Sequence, residues 1–249
     1  MFGNSLLSRH RRPEMMDQGD LDEQGHVWAL QGLERINRLS AGGRLLWPAI
    51  RQAGEICAPR VLSVLDVATG AGDIPIGLWL KAQRANLPAE ISACDRSATA
   101  LAYARRRAEE QNASVRFFQW DILNGPLPDT YDVVTCSQFL HHLAEDETVQ
   151  ALRTMAQAAR HLVVIHDLRR CLTGWWLAYL VTRLMSASPV VRADGPVSVE
   201  GAYTDAEILR LAERAGMNNA TLARHWPCRF LLTWWKPPGG TGKVEGERP

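Results

Sequence analysis

The chain of 249 residues sets 28 Lys and Arg against 27 Asp and Glu, a formal net charge of +1, with 46% hydrophobic and 22% charged residues. These proportions fit a globular chain long enough for one substantial core and exclude collagen-like, disordered and disulfide-scaffold classes. Near-neutrality argues against a whole-surface nucleic-acid binder, which carries a marked basic excess.

Residues 1–24 are polar and charged, which predicts a loosely held arm, and they contain no apolar run of signal-peptide length. Residues 25–57 read as two helices, the first near His26–Leu39 with Val27, Leu30 and Leu33 at helical spacing, the second over Leu45–Cys57. Val61–Leu65 is a short buried strand. Gly70 and Gly72 punctuate a turn, and Asp73 opens a helix to Arg84 with Pro75 in its first turn, where a missing N–H is tolerated. Strands follow at Glu90–Asp95, Val115–Trp120, Tyr131–Cys136 and His161–His166, with helices from Ser97 to Gln111 and from Glu145 to Arg160 between them. Alternation at this spacing implies βαβ units and a mainly parallel sheet with helices on both faces. Leu172–Met185 reads as an aromatic-rich helix, shorter than the about 20 residues of a bilayer span. Ser186–Ala202 reads as a Pro/Gly loop, Thr204-Asp-Ala-Glu207 as a capping box opening a helix that ends at Gly216, and Asn219–His225 with Cys228–Trp235 as an antiparallel pair. The domain reading is an N-terminal arm and helical cap over 1–57, a ligand-binding α/β domain over 58–236 with 172–203 as a candidate lid, and a disordered tail over 237–249.

The five cysteines, Cys57, Cys94, Cys136, Cys171 and Cys228, are odd in number and far apart without a CxxC. They read as reduced, packed thiols, with no metal site, and a cytoplasmic location is expected.

Val64-Leu65-Asp66-Val67-Ala68-Thr69-Gly70-Ala71-Gly72-Asp73 is the sharpest signal: strand, small-residue turn, helix start. Such a turn lets a ligand approach the backbone and offers it free N–H groups. A dinucleotide fingerprint would place a third glycine where Pro75 stands. Asp66 and Asp73 flank the turn; negative charge there disfavours a pyrophosphate and favours a cationic sulfonium with an amino group. Asp66 and Asp95 each retain the alternative of a helix-capping acid, and Asp132, inside its strand, reads as a holder of local backbone.

The VLDVATGAGD stretch resembles the cofactor loop of class I S-adenosylmethionine-dependent methyltransferases, closest to the ubiquinone/menaquinone branch, with Ala68 where many members carry the first glycine. That resemblance implies a Rossmann-like fold of seven strands, mostly parallel with an antiparallel last strand. It implies S-adenosyl-L-methionine as cofactor, S-adenosyl-L-homocysteine as product, and a cofactor site from Asp66, Ala68, Thr69, Gly70, Gly72, Asp95, Arg96, Trp120, Asp121, Ile122 and Ser137. In this pattern Asp95 matches the acid on the ribose hydroxyls, and Asp121-Ile122 the pair at the adenine edge. Charge-assisted hydrogen bonds make the ribose contact strong.

A hydroxyl acceptor needs a proton acceptor. The candidates are His166, with Asp167 beside it, and His142 in the turn after the fourth strand; His26 and His10 rank lower, and His161 and His225 read as structural. Trp28, Trp175, Trp176 and Tyr179 are candidates for an apolar pocket that takes a phenol, quinol or polyketide product, and packing against the sheet or a second subunit is the rival reading. The basic run Arg105–Arg107 reads as a solvated helix face. The expected partner is a small-molecule acceptor, with no nucleic acid and no transmembrane segment, in a monomer or homodimer. O-methylation is favoured over C-methylation. A non-catalytic S-adenosylmethionine-binding protein is the alternative, and a nicotinamide-dependent oxidoreductase the third.

Overall fold

A computed structural model describes residues 6, 8–12, 14, 42–186 and 188–237. Its elements in chain order are α1 (Gly42–Cys57), β1 (Leu62–Val67), α2 (Asp73–Arg84), β2 (Ala89–Asp95), α3 (Ala98–Glu110), β3 (Val115–Gln119), β4 (Tyr131–Ser137), a short 3₁₀ turn (Leu140–His142), α4 (Glu145–Ala158), β5 (Ala159–Leu168), α5 (Leu172–Met185), α6 (Pro189–Gly201), α7 (Asp205–Arg214), β6 (Thr221–His225) and β7 (Arg229–Trp235). The predicted helix at His26–Leu39 and most of the predicted tail lie outside the described residues.

The strands form one seven-stranded sheet in the order β3-β2-β1-β4-β5-β7-β6. The pairs from β3 to β5 are parallel, and β7 runs antiparallel to both β5 and β6. Alternate residues face opposite sides of the sheet, so the core has two halves. Leu65, Val67, Val134, Cys136, Val163 and Ile165 pack with Leu152 and Met155 of α4 and Ile208 and Leu211 of α7. On the other face Leu62, Val64, Val133, Leu162 and Val164 lie beneath Leu46, Ile50 and Ala53 of α1. Each such fully buried aliphatic side chain contributes about 1.5–3 kcal/mol, and both faces being covered explains why these strands read as continuous apolar runs.

Local chemistry sets the ends. Ser97 caps α3 by accepting from Ala100 N–H at 3.1 Å. Thr204 and Glu207 form the expected capping box on α7, with Thr204 N–H donating to Glu207 Oε2 at 2.8 Å. The segment predicted as a Pro/Gly loop is instead largely the helix α6. Pro189 occupies its first turn, where no N–H partner is needed, and Val190, Val191 and Val199 are buried. Helix α4 ends earlier than predicted, because Ala159 and Arg160 already belong to β5.

Asp132 is fully buried at the N-terminal edge of the sheet. It accepts from both Arg60 Nη atoms at 3.0 and 2.9 Å and from Ser63 N and Oγ at 2.9 and 2.8 Å. Burial works to raise this carboxyl, but Arg60 and Ser63 outweigh it and hold it at about 2. It ties the start of β4 to β1 and to Arg60 in the connection after α1, at the edge opposite the candidate site. Among the described residues no helix is long and apolar enough to cross a membrane.

Candidate active site

In an open α/β sheet the ligand crevice lies outside the carboxyl ends of the strands. At β1 and β2 that edge is built by the small-residue turn. Ala68, Gly70 and Gly72 all have positive φ (53°, 54° and 76°). A Cβ on Gly72 would lie 2.9 Å from Ala104 Cβ, so this glycine lets α2 pack against α3; a Cβ on Gly70 would meet nothing within 4 Å, so that side of the turn is open. Asp95 stands beside it, Oδ2 accepting from Gly70 N–H at 2.8 Å and Oδ1 from Ser97 N–H at 2.9 Å. Asp66 is buried, accepting from Thr69 Oγ1 at 2.7 Å and Thr135 Oγ1 at 2.8 Å. Burial pushes its carboxyl up to about 7, against those two hydrogen bonds. Arg107, expected on a solvated face, is buried instead: it donates to Ala71 O at 3.1 Å and pairs with Asp73, fixing the turn from below.

The edge at β4 and β5 has different chemistry. Gln138 takes φ 54° and donates its N–H to His166 O at 2.8 Å, which turns the chain sharply out of β4. The turn presents His141, whose Nδ1 lies 2.6 Å from Asp167 Oδ1; Leu140 N–H donates to the other Asp167 oxygen at 2.8 Å. Burial works to raise Asp167, but the His141 partner holds it at about 2. Glu14, buried, brings Oε1 to 3.8 Å from His141 Nε2 and 3.7 Å from His142 Nδ1, and accepts from Ser198 Oγ at 2.5 Å. The donor atoms of Glu14, His141 and His142 lie within 4.8 Å of one another, close enough to ligate a cation. Arg9 staples the arm there by donating to the carbonyls of His141, Leu143 and Gly201 at 3.0, 2.7 and 2.6 Å.

The carboxyl ends of β1 and β2 thus carry a small-residue turn and one carboxylate each, and residues 64–161 match the model of the methyltransferase domain family. Over those residues the chain is similar to a methyltransferase domain. It is 34% identical over 134 residues to a demethylmenaquinone methyltransferase of Thermus thermophilus, covering 52% of this chain and 58% of that protein. It is 37% identical over 144 residues to the demethylmenaquinone methyltransferase of Deinococcus radiodurans, covering 56% and 58%. The chain thus matches less than two thirds of the length of these curated relatives. In fold it is similar to a magnesium protoporphyrin IX methyltransferase of Synechocystis with bound S-adenosylhomocysteine, with a TM-score of 0.56 and 17% identity, covering 80% of this chain and 84% of that one.

The remaining sequence candidates fall in three groups. Beside the turn, Asp121 Oδ1 accepts from Leu123 N–H at 3.0 Å, Arg96 O accepts from Gln119 Nε2 at 2.9 Å, Ile122 is buried in the core, and Trp120 Nε1 is buried with no partner among the described residues. At the second edge, Ser137 ends β4 and His142 lies partly exposed beside Glu14. His166 is fully buried on the α1 face, opposite to Asp167; burial, reinforced by Arg229, pulls its imidazole down to about 3. On α5, Trp175 stacks on Tyr179 with centroids 5.6 Å apart and donates Nε1–H to Glu200 Oε1 at 2.9 Å, while Trp176 is 47% exposed. Trp28 and His26 lie outside the described residues. The sequence assigns no role to His141, Glu14, Ser198 or Glu200. His141 is adjacent to the candidate His142, and Asp167 is named beside His166, so the signal lay at or one position from each.

Proposed function

We propose that this chain transfers a methyl group from S-adenosylmethionine to a hydroxyl of a small aromatic acceptor, such as a phenol, quinol or polyketide product. The observation that carries the oxygen acceptor is the His141–Asp167 pair at the carboxyl edge of β4 and β5. The demethylmenaquinone methyltransferase relatives support the ring-shaped acceptor.

The open turn at Gly70 and the Asp95 carboxylate fit the ribose and amino-acid parts of S-adenosylmethionine: the turn has room for a ligand, and Asp95 already accepts from two backbone N–H groups while keeping lone pairs for two hydroxyls. When bound, S-adenosylmethionine supplies a methyl carbon already activated by positive sulfur. The protein's part is to hold the acceptor oxygen in line with that carbon, an arrangement worth up to about 7–11 kcal/mol, and to remove the hydroxyl proton. We assign proton removal to His141 rather than His166. Asp167 accepts from Nδ1–H and so leaves the Nε2 lone pair for the acceptor; its charge, held low in pKa, stabilises the imidazolium that forms. His142 and Glu14 flank that nitrogen. The α5 aromatics Trp175, Trp176 and Tyr179 supply an apolar wall for the ring.

The test is turnover with S-adenosylmethionine over a set of phenols and quinols, in wild type and in His141→Gln. The expected result is methyl-ether product with wild type and a fall in kcat of roughly 10²–10⁴-fold in the variant, at unchanged affinity for S-adenosylhomocysteine. Binding of S-adenosylhomocysteine without turnover on any acceptor would favour a non-catalytic binding protein instead.

A further inference from the structure

The mechanism above leaves one group of buried polar side chains unused. Ser137 pairs with His166 across β4 and β5, and Leu168 with Arg229 across β5 and β7. Residues two apart on a strand share a face, so Ser137, His166 and Arg229 form one row on the α1 side of the sheet, at its carboxyl edge. His166 is fully buried, Arg229 is 6% exposed, and Ser137, at the strand end, is partly exposed with its Oγ enclosed. Among the described residues, Ser137 Oγ, both His166 nitrogens, and Nε and Nη1 of Arg229 have no hydrogen-bond partner. Buried polar groups are almost always paired, and a buried guanidinium without a hydrogen-bonded counter-charge is rarer still. Burial pulls Arg229 down to about 10, against the attraction of Asp167 on the other face, so it is still a cation at neutral pH.

We propose that Arg229, with Ser137 and His166, binds a carboxylate carried by the methyl acceptor. Resting on the acceptor reading above, this narrows the substrate class to aromatic hydroxyl compounds with an acidic substituent. The chemistry is one-sided: guanidinium and hydroxyl donate, and the neutral imidazole has one N–H to give. Their common ligand is an oxygen that accepts, and the fixed positive charge favours an anion. The amino-acid carboxylate of the cofactor is the other source of such an oxygen. Position separates the two. Arg229 is on β7, three strand spacings from β1, or roughly 14 Å at about 4.8 Å per strand, whereas Asp95, which would hold the ribose, is on β2; Ser137, on β4 beside β1, stands between the two.

The experiment is calorimetric titration of the full chain, saturated with S-adenosylhomocysteine, with catechol, with protocatechuate (catechol bearing a ring carboxylate) and with the methyl ester of protocatechuate. Wild type is expected to bind the carboxylate roughly ten- to a hundredfold more tightly than the other two, the range of hydrogen bonds to a charged group. In Arg229→Met that preference disappears, with S-adenosylhomocysteine affinity within about twofold of wild type. Equal wild-type binding of acid and ester overturns the proposal, and this arm needs no variant to fold. A variant that keeps the preference also overturns it. A variant that loses S-adenosylhomocysteine affinity and keeps acceptor affinity assigns the row to the cofactor carboxylate, against the proposal. Because the readout is binding, a carboxylate preference without methyl-ether product sinks only the proposed reaction.

Discussion

The two halves of the sheet's carboxyl edge are made in opposite ways. At β1 and β2 the turn, cap and acid lie on one stretch of chain, from Asp66 to Ser97, and the backbone does most of the holding, through positive φ at Ala68, Gly70 and Gly72 and N–H bonds to Asp95, with Thr135 and Arg107 bracing it from outside. At β4, β5 and β7 side chains do the holding, and they come from far apart: Glu14 meets His141, Ser198 meets Glu14, and Asp167 meets His141. The first half suits a ligand shared across a family. The second can be changed one side chain at a time, as expected of the half that chooses an acceptor.

Perturbing each half in turn should separate their effects. Asp167→Asn removes the charge that stabilises the His141 imidazolium, and kcat should fall by roughly 10²–10⁴-fold with cofactor affinity intact, measured by steady-state kinetics and S-adenosylhomocysteine titration. Asp95→Ala should do the reverse: S-adenosylhomocysteine affinity falls roughly ten- to a hundredfold, the about 1.5–3 kcal/mol of hydrogen bonds to a charged group, and acceptor binding measured without cofactor is unaltered. Gly72→Ala puts a Cβ at φ 76° and 2.9 Å from Ala104; chemical denaturation should show about 1–3 kcal/mol of lost stability.

A further expected effect is on pH dependence. His166 titrates near 3 in the fold against an ordinary 6.5, so as pH falls the unfolded chain takes this proton first. Its contribution is present above 6.5 and is lost progressively down to about 3. Melting curves of His166→Leu should lose this slope and keep the steeper loss below 3.8 that Asp132 and Asp167, both held near 2, produce. An unchanged slope would show that His166 titrates normally.

The same contrast explains what the sequence made legible. The strand-turn-helix at Asp66–Asp73 and the acid at Asp95 are local patterns, and the structure keeps them where the pattern put them. Choosing between His166 and Asp167, or between His142 and His141, is a choice of sheet face and of turn geometry. A central parallel strand such as β5 is apolar on both sides, so its hydrophobicity carries no mark of which face holds the site. Glu14 is a different case: a cap over 1–57 is expected, but nothing near residue 14 signals which turn the arm meets, more than a hundred residues away, where Arg9 holds it on three carbonyls. The helix α6 was hidden by its composition, since Pro189, Gly195 and Pro196 read as loop until the burial of Val190, Val191 and Val199 supplies the opposing term.

The central claim is that the second half of the edge deprotonates a hydroxyl for methyl transfer. Its most direct test is turnover with S-adenosylmethionine carrying an isotope-labelled methyl group, followed by nuclear magnetic resonance of the product. A labelled methyl bonded to oxygen in wild type, and its near-disappearance in His141→Gln, is the expected result. A labelled methyl on ring carbon, or equal ether formation by the variant, would contradict it.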